Sequence, residues 1–142
     1  MTTAKEILEI LESMRDDTQA RHLMHFFKTG KGDYGEGDCF LGLKVPQTRT
    51  IVREARLDVP LPEIETLLYS RWHEARLAGF LLLVEEMAAA LPKRKETPTL
   101  HAERRREIAG FYLAHARQAN NWDLVDLTCP KILGEWLLYP DT

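Results

Sequence analysis

The stretch Trp72–Ala90 constrains the chain more than any other. Leu77, Phe80, Leu81, Val84 and Met87 recur there at helical spacing. They form an apolar stripe wide enough to pack on two neighbours, so this helix needs partners on more than one side. Such partners are legible on either side of it. Residues 4–14 place Ile7, Leu8, Ile10, Leu11 and Met14 at helical spacing, and Thr3 with Glu6 forms a capping-box pattern. Residues 18–28 read as a second helix with Leu23, Met24, Phe26 and Phe27 as its apolar residues. Residues 46–56 follow, with Pro46 in the first turn, where its missing N–H costs nothing, and Ile51, Val52 and Ala55 inward. Residues 62–69 bury Ile64, Leu67 and Leu68, and Ser70 or its successor can cap the long helix. Residues 100–118 bury Ile108, Phe111, Tyr112 and Leu113. A last helix or helix pair restarts at Pro130 and packs Ile132, Leu133, Trp136, Leu137 and Leu138 on what precedes. No strand-like alternation appears. The expected class is all-α, built of stacked antiparallel helix pairs, and periodicity by itself leaves bundle and solenoid open.

With 142 residues, 1–142 is expected to be a single helical domain with a sizeable core. The longest apolar run, Phe80 to Val84, is far too short to span a bilayer, so no membrane association is expected. The N-terminus lacks a signal peptide's apolar core and cleavage site. Cys39 and Cys129 show neither metal spacing nor a disulfide framework, and a reduced, cytoplasmic protein is expected. A net charge of −3 is awkward for a nucleic-acid binder, although only the field along a binding face matters. Candidate cations are Lys28, Lys31, Lys44, Arg49, Arg53 and Arg56, then Lys93 to Lys95 and Arg104 to Arg106. For each of them a solvated helix face is the simpler explanation.

The chemistry-bearing stretch is Asn120-Asn121-Trp122-Asp123-Leu124-Val125-Asp126. The asparagines can cap a helix, and Asp123 then suits the positive end of its dipole. Trp122 and Asp126 are one turn apart, so an aromatic surface and a carboxylate share a face. The pattern alone also fits a core tryptophan beside a solvated carboxylate. His22 and His25 stand at i, i+3 without a third ligand, and neither a metal site nor a cofactor is expected. The glycine-rich segment 29–38 lacks the features of a phosphate loop or a calcium loop and reads as a turn bringing Tyr34 or Phe40 to a surface. His73-Glu74 with Arg76 reads as a hydrogen-bonded helix junction rather than a catalytic group.

The segment NNWDLVDLTCPKILGEWLL resembles the central motif of the AlkD-like DNA alkylation repair proteins, which are helical-repeat proteins with HEAT-like folds. FFKTGKGDYGEGDCFLGLKVPQTRTIVREA, residues 26–55, is similar to the N-terminal part of that family, and SRWHEARLAGFLLLVEEM, residues 70–87, to its middle helices. The resemblance implies a HEAT-like α-solenoid. It implies a DNA glycosylase that releases cationic alkylated purines, N3-methyladenine and N7-methylguanine, from duplex DNA. Asp126 matches the family's catalytic aspartate, and Trp122 an aromatic that packs on the damaged nucleotide. Phe26 aligns with a second aromatic contact that is usually tyrosine. Lys28 and Arg49 stand as DNA-contact candidates. Family members usually continue for several helices beyond the motif, so the resemblance also implies a solenoid truncated on its C-terminal side and open to self-association there. Two further readings stay open: a non-catalytic DNA-binding module and a protein-interaction scaffold.

Overall fold

The computed structural model describes residues 1–26, 38–93, 95–120 and 122–139, with residues 122 and 123 described in backbone only. Eight α-helices follow in order among the described residues: α1 (Ala4–Ser13), α2 (Asp17–Phe26), α3 (Val45–Ala55), α4 (Leu61–Leu68), α5 (His73–Ala90), α6 (Ala102–Ala114), α7 (Trp122–Cys129) and α8 (Glu135–Leu138). A 3-10 turn, Ala116–Gln118, follows α6, and a π-helical turn, Pro130–Gly134, joins α7 to α8. The turn widens at Pro130, whose ring cannot donate to the helix ladder. The sole β contact among the described residues is an isolated parallel bridge between Cys39 and Trp72.

Helix α5 is the spine. It packs against α1, α3, α4, α6 and α7, as the width of its apolar stripe requires. Thirteen of its residues are buried, including Leu77, Phe80, Leu81 and Met87, while Val84 is half-buried. Helix α1 also touches α3 and α4, and the ends of α4 and α6 are tied by hydrogen bonds. There the Gln118 side-chain amide donates to the Leu68 carbonyl at 2.9 Å, and His115 Nε2 meets Glu65 at 3.1 Å. The arrangement is an all-α, solenoid-like stack of helices. Ile64, Leu67 and Leu68 of α4 are wholly buried, each contributing roughly 1.5–3 kcal/mol of burial.

Local signals behave as their chemistry dictates. The Thr3 hydroxyl accepts from the Glu6 amide at 3.2 Å and donates to its carboxylate, so the capping box forms. Pro46 sits in the first turn of α3. Helix α5 differs: its N-cap is Trp72, and the Ser70 hydroxyl instead accepts from the Trp72 amide at 3.2 Å.

Two expectations about burial are corrected, those for Leu113 and for Leu137 with Leu138, and α2 keeps most of its apolar side chains out of the core. In α2 only Ala20 is buried, Met24 is exposed and Phe26 is 74% exposed. The helix is held by its first turn, so its later apolar residues reach past the core; Phe27 lies outside the described residues. Leu113 of α6 is 54% exposed because Ile108, Ala109 and Tyr112 already occupy the inward stripe. Leu137 and Leu138 are exposed because Ile132, Leu133 and Trp136 take the packed side of the last turn.

Gly42 is required by geometry. Its φ is +102°, and an added Cβ would lie 1.9 Å from the Asp16 carbonyl oxygen. That approach lets the Asp16 amide donate to the Leu41 carbonyl at 2.9 Å, which pins the start of α2. Gly42→Ala is therefore expected to destabilise the chain by at least about 2 kcal/mol in urea unfolding. Gly110, in mid-α6 with open space around its Cα, should instead gain roughly 0.5–1 kcal/mol as alanine. Equal effects of the two substitutions would contradict this account.

Candidate functional site

Helix α7 is anchored by one face. Leu124, Thr128 and, a turn further on, Ile132 are buried, four residues apart in each step. The Thr128 hydroxyl donates to the Leu124 carbonyl and lies 3.2 Å from the Tyr112 hydroxyl of α6. Burial pushes the Tyr112 phenol above its ordinary pKa. Asp126 is two residues, about 200° of helix, from both Leu124 and Thr128, so it projects away from the packing and is exposed. The Trp122 side chain, Asn121, expected as a candidate cap, and the Asp123 side chain lie outside the described residues, as do Lys28, Lys31, Tyr34 and Arg94.

Arg49 is exposed on α3. With Arg53 it borders a small groove of about 60 Å³ between α3 and α5, floored by Val52, Leu81 and Val84. Arg56 continues the ridge and reaches Glu85 of α5 at 4.0 Å. Helices α3 and α7, which carry Arg49 and Asp126, both pack on α5.

Phe26 ends α2 at an apolar cleft of about 270 Å³, shared with Leu23, Phe40, Leu43, Val45 and Leu77. Lys44 stands at its edge, while His73 and Glu74 are buried beneath. Phe40 is not delivered to the surface. It is 4% exposed and stacks on the His73 ring at 4.4 Å, because its side chain completes the core beneath α2. No described contact joins Phe26, Arg49 and Asp126.

Two cations are corrected. Arg105 is wholly buried, donating to the carbonyls of Ala90, Leu100 and Pro98, and so staples the loop before α6 rather than facing a ligand. Arg104 is paired with Glu86 at 2.9 Å and with Glu107. Lys93, Lys95 and Arg106 are charged ends outside this constellation.

The junction expected at His73-Glu74-Arg76 forms, with a partner the sequence did not announce. Asp38 is buried and accepts from His73 Nδ1 at 2.7 Å, from the Arg76 guanidinium, and from the Cys39 amide at 3.0 Å. The other guanidinium nitrogen of Arg76 donates to the carbonyls of Ser70 and Arg71, both at 3.0 Å. Glu74 accepts three consecutive amides, Leu41 at 2.9 Å, Gly42 at 2.8 Å and Leu43 at 3.1 Å. The two carboxylates are committed to the fold, while Arg76 Nε is buried without a hydrogen-bond partner among the described residues. Among the described residues no cluster of three or more His, Cys, Asp or Glu could hold a metal ion.

The profile of the family described as DNA alkylation repair enzyme matches residues 7–142, nearly the whole chain. The chain belongs to this family. Membership gives it a role in DNA repair, with DNA as the partner. No curated protein and no solved structure matches it significantly. No helix among the described residues is long and apolar enough to cross a membrane.

Separating the buried junction from the exposed carboxylate gives a direct expectation. Glu74→Gln points a side-chain N–H2 donor at backbone N–H donors and should cost about 1–3 kcal/mol in urea unfolding. Asp126→Asn should change stability by less than about 0.5 kcal/mol. A silent Glu74→Gln would contradict the assignment of that carboxylate to the fold.

Proposed function

We propose that this family member is a DNA glycosylase that releases cationic alkylated purines from duplex DNA, with Asp126 as the catalytic carboxylate. The observation that carries the reading is Asp126 itself, an exposed acid on the outward side of a helix whose inward side is anchored by Leu124 and Thr128. Acids recruited for packing or capping are found paired, as Asp38 and Glu74 are here. Asp126 stands at the position where the family motif carries its catalytic aspartate, one turn after Trp122.

Alkylation at N3 or N7 makes the purine a cation and so a good leaving group, and little proton donation is needed. As the N-glycosidic bond breaks, its electron pair leaves with the purine and the deoxyribose gains oxocarbenium character. A carboxylate held beside C1′ stabilises that charge and orients the water that adds to C1′. Trp122 offers a flat face to the nucleotide's polarised C–H groups. Phe26 is the second aromatic contact, and Lys28 with Arg49 contacts phosphates. An open, HEAT-like helical surface suits a duplex approached from its backbone side.

A second reading, a non-catalytic module for distorted duplex, is favoured by the arginine ridge of α3, which would serve binding whether or not bases are released. Base release from duplex DNA containing N7-methylguanine decides between them. Asp126→Asn is expected to lower release by roughly 10²-fold or more with the unfolding midpoint unchanged. Equal release by the two proteins would sink the catalytic role of Asp126.

A further inference from the structure

A second cleft, of about 310 Å³, opens on the opposite flank of α2 from the Phe26 cleft, with Phe40 between the two. Its wall is the Trp72 indole. The Arg71 guanidinium lies 4.4 Å from the ring centroid and that of Arg15 lies 5.4 Å from it. Arg21 and Met24 border it from α2. All three arginines are exposed, and only Arg15 has a carboxylate, Asp17 at 2.8 Å. Arg21 reaches only the Thr18 hydroxyl at 3.5 Å, and Arg71 has no carboxylate partner among the described residues. The neighbouring Asp16 carboxylate already accepts from the Gln19 amide.

We propose that Trp72 and the arginines around it form a phosphate-binding cleft that takes the sugar-phosphate backbone of a nucleic acid strand, on elements other than α7. Three guanidiniums face one carboxylate, so the site carries excess positive charge on a chain whose net charge is −3. A guanidinium laid on an aromatic face keeps its in-plane N–H donors free. Stacking therefore holds the arginine forks in place before a phosphate arrives, which lowers the ordering cost of a charge-assisted contact. Free phosphate would use the cations alone. Trp72 and Met24 add an apolar wall that a deoxyribose can cover and a lone anion cannot. The choice of nucleic acid as the source rests on the DNA-repair reading above.

The test is the salt dependence of binding to a duplex oligonucleotide, read by fluorescence anisotropy. Each phosphate contact adds about 0.9 to the slope of log K against log salt. Arg15→Gln/Arg71→Gln is expected to lower that slope by about 2 and to weaken binding at least roughly tenfold. These residues are exposed, so folding is not at stake. Trp72→Leu leaves the net charge unchanged and should also weaken binding, by roughly two- to tenfold, because the arginines lose their platform. An unchanged slope in the arginine variant overturns the proposal. Wild-type binding by a folded Trp72→Leu overturns the stacked site and leaves only diffuse charge. Saturable binding of inorganic phosphate to the wild-type chain, with DNA affinity unchanged in the arginine variant, would assign the cleft to the free anion and overturn the nucleic-acid source. The two functional readings separate cleanly. Asp126-dependent base release with an unchanged slope sinks this proposal alone, and a lowered slope with no release sinks the glycosylase reading alone.

Discussion

The fold depends on two buried carboxylates that hold the start of the long helix against the segment before α3. Asp38 neutralises Arg76 and fixes His73, while Glu74 satisfies three successive amides of residues 41–43. A buried charge is tolerable only when paired and fully hydrogen-bonded, and an irregular segment can be buried only when its amides find acceptors. Each requirement answers the other here. The chain around Gly42 gains its acceptors from Glu74, and Glu74 gains three backbone donors that commit its carboxylate to the fold. Removing either half would leave the other as an uncompensated buried group.

That junction governs what surrounds it. Because Leu41 and Gly42 are fixed, the first turn of α2 is fixed through Asp16, and the rest of α2 extends past the core with a cleft on each flank. Because α5 is fixed at its first turn, α3 and α7 have a fixed surface to pack on, and each carries an exposed charged residue, Arg49 and Asp126. The acids thus divide by environment. Asp38 and Glu74 are spent on architecture, whereas Asp126 is offered to solvent from a well-anchored helix.

Most of the helices were legible because each has a wide apolar stripe and a recognisable stop. α3 and α4 bury the residues their periodicity names, α5 does so except for half-buried Val84, and Thr3 and Pro46 act as their chemistry predicts. Periodicity failed at α6 and α8, where Leu113 and Leu137 keep the helical spacing but stay exposed, since spacing says which face is apolar and not what lies opposite. The motif on α7 was legible as a motif, and its outward carboxylate follows from the buried positions of Leu124 and Thr128. Less local facts were hidden. Asp38 as the partner of His73 and Arg76 spans more than thirty residues of sequence. The burial of Arg105 depends on three loop carbonyls that carry no side-chain signal. Trp72 between two arginines had a visible trace in Arg71-Trp72, but Arg15 comes from the turn after α1.

The central proposal is that Asp126 on α7 and the arginine ridge of α3 face the DNA. Amide hydrogen exchange, with and without duplex DNA containing N7-methylguanine, tests this most directly. The account predicts protection on binding in α7 and along the arginine ridge of α3, with α4 and the outer side of α6 unchanged. Protection confined to α4 and α6, with α7 unaffected, would contradict it.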